Sequence, residues 1–238
     1  MAGQPWRNKL AGMLARFIHT APPPYSTLKG VEIKDVATTT MGSGIALVYK
    51  KDGKRKLVLL QAGPHYPSYD ASKPAYMIPG GFVNLAHTEG STLVAASDKP
   101  ESVFAAAARE LEEEMPLPDG RPLLVADPAR LHIIDNVPLR FKSGETRQVF
   151  GLLYELAADE ITAVETYVER MTSDPAYLQA VMAHTVNPYS KRPEMCGIRI
   201  FDLDDAAAGK IPLLHADQQS LFVKAQSYFR RLDTPSGP

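Results

Sequence analysis

An α/β domain is the fold class this sequence predicts, and three observations carry it. Short aliphatic runs bounded by turn signals recur along the chain, among them Ile45 to Tyr49 and Leu57 to Leu60. The stretch over 101–115 consists of good helix formers. A second helical pattern, Ala216 to Leu232, carries Leu221, Ala225, Phe229 and Leu232 on one stripe. The chain has 238 residues, 45% hydrophobic and 22% charged, enough for one large domain with additions.

Residues 1–31 contain no acid and place Trp6, Leu10, Met13, Leu14 and Phe17 at helical spacing beside Arg7, Lys9 and Arg16. This predicts an amphipathic, weakly basic helix, ended by the linker prolines Pro22, Pro23 and Pro24. Its apolar face is expected to pack on its own domain or on a second copy, which would make a homodimer. A targeting or membrane-surface role is the alternative.

The main domain spans 32–232. Its first two strands flank Lys51-Asp52-Gly53-Lys54, a hairpin turn signal. Ala75 to Ile78 reads as a third strand, stopped by Pro79-Gly80-Gly81. Leu131 to Ile134 and Gln148 to Leu156 are further strands, 159–184 is helical with a break near Pro175, and Gly197 to Phe201 is the last strand. Residues 233–238 are expected to form a flexible tail.

Charge and composition exclude several function classes. Lys and Arg total 26 against 27 Asp and Glu, so there is no general pull toward nucleic acid or an anionic membrane, and nucleic acid is not an expected partner. No apolar run approaches the roughly 20 residues of a membrane span. The single cysteine, Cys196, excludes an intramolecular disulfide and a cysteine-based zinc site, and fits a reducing, cytoplasmic location. Six histidines without ligand spacing argue against zinc. Twenty prolines, about 8% where about 5% is usual, predict rigid loops, and they crowd both sides of the acidic helix over 101–115.

The chemistry concentrates at Glu101 and at Arg109-Glu110-Leu111-Glu112-Glu113-Glu114. At about 100° per residue, Phe104, Ala108, Leu111 and Met115 form an apolar stripe, and Glu110, Glu113 and Glu114 point away from it. Three carboxylates one turn apart converge on a small volume. Like charges about 4 Å apart repel by about 1 to 4 kcal/mol, so the cluster favours a raised pKa or a bound hard cation, magnesium or manganese. Read alone, such a run is most often a solvated acidic face.

The order of strand, Pro79-Gly80-Gly81-Phe82-Val83 turn and acidic helix resembles the Nudix hydrolase superfamily, whose signature is G-x5-E-x7-R-E-U-x-E-E-x-G-U with U aliphatic. Gly81 matches the first glycine, Glu101 the first glutamate, Arg109 and Glu110 the R-E pair, Leu111 the aliphatic, and Glu113 and Glu114 the E-E pair. Two departures stand out. Twenty positions separate Gly81 from Glu101 where the signature has six, and Pro116 replaces the second glycine. The resemblance covers residues 40 to 157 and 194 to 232.

The resemblance implies a Nudix-type α/β/α sandwich with a mixed β-sheet, carrying the N-terminal helix and insertions at about 84–99 and 158–190, the latter helical. It implies a magnesium-dependent pyrophosphohydrolase, manganese being a possible substitute, that acts on a nucleoside diphosphate derivative. By resemblance Glu113 and Glu114 are metal ligands, Glu110 is a ligand or water-orienting base, and the Gly81 carbonyl is a further ligand. Glu194, before the last strand, is the late acid that helps activate water or hold metal. Arg109 and Glu101 support the geometry of the site. The stretch Pro79 to Asn84 is similar to Nudix domains that cleave ADP-ribose, the candidate substrate. Tyr66, Tyr69 and Tyr76 are candidates for stacking on a base, and Arg140, Lys142 and Arg147 for holding phosphate. Tyr76, Asn84 and Arg140 are the expected substrate-binding residues. The alternatives are a Nudix-like module that binds such a ligand without cleaving it, and a hydrolase of nucleotide-capped RNA.

Overall fold

The computed structural model describes residues 41–83, 102–140 and 146–233. β1 (Met41–Lys51) and β2 (Lys54–Ala62) are joined by a two-residue turn. Asp52 at φ 50° and Gly53 at φ 74° supply the left-handed pair that a tight hairpin turn requires. The first half of β1, Gly42 to Gly44, pairs antiparallel with β4 (Gly80–Phe82), and its second half pairs with β2. β6 (Thr146–Glu155) runs parallel to β1, and β5 (Leu131–Arg140) lies antiparallel to β6. At the other side β2 pairs antiparallel with β3 (Tyr76–Met77) and with β7 (Met195–Asp202). Among the described residues these strands form one mixed sheet of seven.

Both faces of the sheet are covered, which is why its strands read as continuous apolar runs rather than as alternation. Ile45, Leu47 and Tyr49 face a layer made by α1 (Val103–Glu114), α2 (Ala158–Ser173) and α3 (Pro175–His184), which bury Phe104, Leu111, Val164, Tyr167 and Val181. Ala46 and Val48 face α4 (Leu203–Ala207) and α5 (Gln218–Asp233), which bury Leu203, Ala206, Leu221, Phe222 and Phe229. The fold is therefore an α/β sandwich with a mixed sheet, as the sequence predicts.

The differences from the sequence reading have local causes. β3 does end at Met77, before Pro79, but Gly80 to Phe82 is a further strand, because a Cβ on Gly80 would stand 2.5 Å from the Ser43 carbonyl oxygen and glycine lets the backbone close on β1. The helical stretch divides at Asp174, whose Oδ1 accepts the N–H groups of Ala176 and Tyr177 and starts α3 with Pro175 in its first turn. Leu232 is 60% exposed, because the buried stripe of α5 ends at Phe229, and Phe222 is its unforeseen member. Asp233 closes α5 and accepts from Arg55 Nη2 at 3.2 Å, so it is not part of a tail. α4 spans five residues, too few to show a period. The expected N-terminal helix over 1–31, the insertion at 84–99 and residues 234–238 lie outside the described residues. No helix among the described residues is long and apolar enough to cross a membrane.

Candidate active site

Local capping fixes both ends of α1. Ser102 Oγ accepts the Ala105 N–H at 3.2 Å, so the helix begins at Val103. At the other end the Met115 N–H returns to the Leu111 carbonyl, and Pro116 diverts the chain into a bridge with Pro122. The Tyr167 hydroxyl, from α2, donates to the Pro116 carbonyl at 3.0 Å in a buried position. Thus the added helices brace the exit of the acidic helix.

The acids on α1 differ in environment. Glu114 is 4% exposed and does not point to solvent as the stripe predicts. It shares a face with Ala107 and Leu111 at i, i+4, i+7, and its Oε2 accepts the Gly80 N–H at 2.7 Å. Glu110 is largely buried and lies against Gly81, where a Cβ would stand 2.4 Å from the Glu110 carboxyl carbon. Any side chain there must displace the Glu110 carboxylate. Glu113 is open to solvent, its side chain 60% exposed.

Arg109 ties this group to β4. Its Nη2 donates to the Phe82 carbonyl at 2.8 Å, and its Nη1 donates to Glu110 Oε1 at 2.8 Å and Glu113 Oε2 at 3.3 Å. Burial pushes the Glu110 carboxyl up to about 7, with Arg109 working against the shift and the charges of Glu113 and Glu194 adding to it. Glu114 is raised well above the usual carboxylate range by burial and then by the Glu110 charge, against the Gly80 N–H.

Glu194 reaches the same place from the loop before β7. With Glu110, Glu112, Glu113 and Glu114 it lines a cavity of about 500 Å³, the size of a small-molecule site. Residues 184–188, at the end of α3, form the cavity's other wall. Among the described residues no three of the acidic, histidine or cysteine side chains stand close enough to clasp one ion as they are. The donor chemistry nevertheless fits a hard divalent cation, since the cavity offers carboxylate oxygens, two of them on acids whose charge is costly without a counter-ion.

The candidate substrate residues fare unevenly. Tyr76 is 3% exposed and packs edge-on against Phe201 on the α5 side of the sheet, so the structure does not bring it to the acids. β3 presents it to that face by strand alternation, which a two-residue strand conceals in the sequence. Tyr66 is instead the tyrosine near the cluster, its hydroxyl raised by burial and then by the charges of Glu114, Glu194 and Glu110. Arg140 is the last residue of β5, opposite Thr146. Asn84 and Glu101 lie outside the described residues. Sequence reasoning missed the Gly80 N–H, Glu112 and the 184–188 wall. The doubled glycine was the available signal for the first.

No family model matches the chain, and no curated protein matches it. Solved structures do resemble it. A C. elegans Ap4A hydrolase in a binary complex is 20% identical with a TM-score of 0.44, the match covering 81% of this chain and 99% of that one. The Nudix domain of Shewanella oneidensis NrtR, in a cocrystal with ADP ribose, is 14% identical with a TM-score of 0.46, over 84% and 94% of the two chains. A Nudix hydrolase from Nitrosomonas europaea is 14% identical with a TM-score of 0.43, over 80% and 90%. Two of these three are Nudix proteins by name, and all three share the fold at low identity.

Proposed function

We propose that this chain is a divalent-cation-dependent pyrophosphohydrolase that cleaves the diphosphate linkage of a nucleoside diphosphate derivative, with ADP-ribose as the candidate substrate. The observation that supports it is the convergence of Glu110, Glu113, Glu114 and Glu194 on one cavity beside the Gly80-Gly81 strand. A bare acidic surface would not bury two of its carboxylates.

In this reading Glu113 and Glu114, with the Gly81 carbonyl, hold magnesium or manganese. Such a cation, when bound, would supply neutralisation of phosphate charge and activation of a water. Glu110, on the same cavity, accepts the proton of the attacking water, and Glu194 orients the water from the opposite wall. Arg109 holds β4 against α1 through the Phe82 carbonyl and shares one nitrogen between Glu110 and Glu113. The 184–188 wall, contributed by the helical insertion, selects what is attached to the nucleoside diphosphate.

A panel of nucleoside diphosphate derivatives, incubated with the full chain and magnesium and read by phosphate or mononucleotide release, tests this. Glu113→Gln combined with Glu114→Gln is expected to lower turnover by at least about 100-fold. Hydrolysis that survives the pair rejects the assigned site. A second reading, a module that binds without cleaving, has in its favour that no three acids among the described residues clasp an ion as they stand. Saturable binding of panel members without turnover would establish it.

A further inference from the structure

The wall opposite α1 carries a loop whose side-chain hydrogen bonds lead to Glu194. Asn187 donates from Nδ2 to Glu194 Oε1, and both residues line the acidic cavity. The orientation of the Asn187 amide is set by its other end. Oδ1 accepts the Tyr189 N–H at 2.9 Å and the Ser190 N–H at 3.0 Å, so the oxygen is engaged by its own turn and only the nitrogen is left for the carboxylate. The backbone of the turn is closed as well, the Asn187 N–H donating to the Arg192 carbonyl and the Lys191 N–H to the Asn187 carbonyl, each at 3.0 Å.

Glu194 is held from two further sides. Its N–H donates to the Thr185 carbonyl at 2.9 Å, and its carbonyl accepts the Gly63 N–H at 2.8 Å. Gly63 permits that approach, since a Cβ there would lie 2.6 Å from the Pro193 carbonyl oxygen and 3.0 Å from the Glu194 carbonyl carbon. With its backbone pinned between the end of β2 and the 185 turn, the Glu194 side chain keeps rotamer freedom, and the Asn187 amide restricts it. A carboxylate facing other carboxylates would otherwise swing to solvent.

We propose that Asn187 is a positioning residue that holds the Glu194 carboxylate in the acidic cavity, so that the helical insertion, through the turn at its end, sets the alignment of this acid. The proposal rests on the reading of the cavity as a hydrolytic site for its kinetic consequence, but the contact itself is observable without turnover.

Asn187→Asp is the discriminating variant. An aspartate keeps both acceptor bonds to Tyr189 and Ser190, hence the turn, while it removes the donor and puts a like charge against Glu194. Asn187→Ala, which loses both, is its companion. With the panel substrate that the wild type turns over, Asn187→Asp is expected to lower kcat by about 10- to 100-fold with KM nearly unchanged. In a Glu194→Gln background the same substitution is expected to cause no further loss, because a residue acting through Glu194 has nothing left to position. Additive losses would overturn the proposal, since they would mean a general effect on the fold.

A second measurement is independent of activity. In a nitrogen-15 correlation spectrum of the full chain, the Asn187 side-chain amide, assigned by its loss in Asn187→Asp, is expected to shift on Glu194→Gln. An amide that does not move overturns the proposal whatever the kinetics. A shifting amide in a protein that hydrolyses nothing in the panel supports the contact and rejects the hydrolase reading.

Discussion

Gly81 and Glu110 show how closely backbone and carboxylate approach at this site. A Cβ on residue 81 would stand 2.4 Å from the Glu110 carboxyl carbon and 2.5 and 2.6 Å from its two oxygens, so any side chain must displace the acid. The backbone of β4 need not move, because the Glu110 side chain ends at the cavity and can turn into it. Gly81→Ala is therefore expected to lower kcat by about 100-fold, the usual cost of a misplacement near 1 Å, with little change in melting temperature. Parallel melting and turnover measurements at saturating magnesium check this, and wild-type turnover would sink the claim that Glu110 must sit where it does.

At the scale of elements, the added helices owe their placement to a polar anchor at the start of α2. Glu160 accepts the Ala157 N–H at 2.6 Å, Arg130 Nη2 at 2.8 Å and the Tyr154 hydroxyl at 2.7 Å, which joins α2 to the end of β6 and to the 3-10 turn before β5. Burial alone would raise the Glu160 carboxyl, but the bonds from Arg130, Ala157 and Tyr154 outweigh it and hold the group below its usual value. Because the folded pKa is depressed, the stabilisation is present above the unfolded value of 4.5 and is lost as pH falls through the folded one. Glu160→Gln is expected to cost about 1 to 3 kcal/mol near neutral pH and progressively less below about pH 4. Urea unfolding at neutral and acidic pH measures the difference, and a penalty that stays constant into acid would assign the effect to something other than this charge.

For the molecule as a whole, the sheet separates chemistry from support. The acids gather on the α1 side, whereas the α5 side carries a buried polar tie. Asp135, 1% exposed, accepts from Ser220 Oγ at 2.6 Å, from the Asn136 N–H at 2.8 Å and from Lys224 Nζ, so β5 is clipped to α5. Lys224→Met keeps the apolar stem and removes the cation. It leaves Asp135 with two donors, so the expected loss is about 1 to 3 kcal/mol, below what stripping a buried ion pair of all its partners costs. Turnover at a temperature well below the melting point is expected to stay at the wild-type value. Denaturant unfolding and kcat, measured on the same preparation, test both halves, and a fall in kcat would show that the two faces are coupled through the sheet.

The sequence by itself determined the α/β class, the positions of the long strands and the acidic helix, because all of these rest on short-range patterns. Val58 and Leu59 are apolar on both faces, Asp52-Gly53 fits one turn, and the good helix formers over 101–115 bracket the observed Val103–Glu114 helix. It also put Glu110, Glu113 and Glu114 on one helix and, through the resemblance alone, marked Glu194 as the late acid before the last strand. Only the tertiary structure decided how each acid is used. Glu114 is buried because Gly80, thirty-four positions earlier, donates to it, and Tyr76 is removed from the site because β3 turns it to the α5 face. Asn187 and Glu194, seven positions apart, line one cavity with Glu110, Glu113 and Glu114 because their loop packs across from a helix far earlier in the chain. Burial, and the pKa shifts that come with it, depends on which distant segments meet. A helical wheel or a spacing rule carries no information on that, since both describe one element before anything is packed against it.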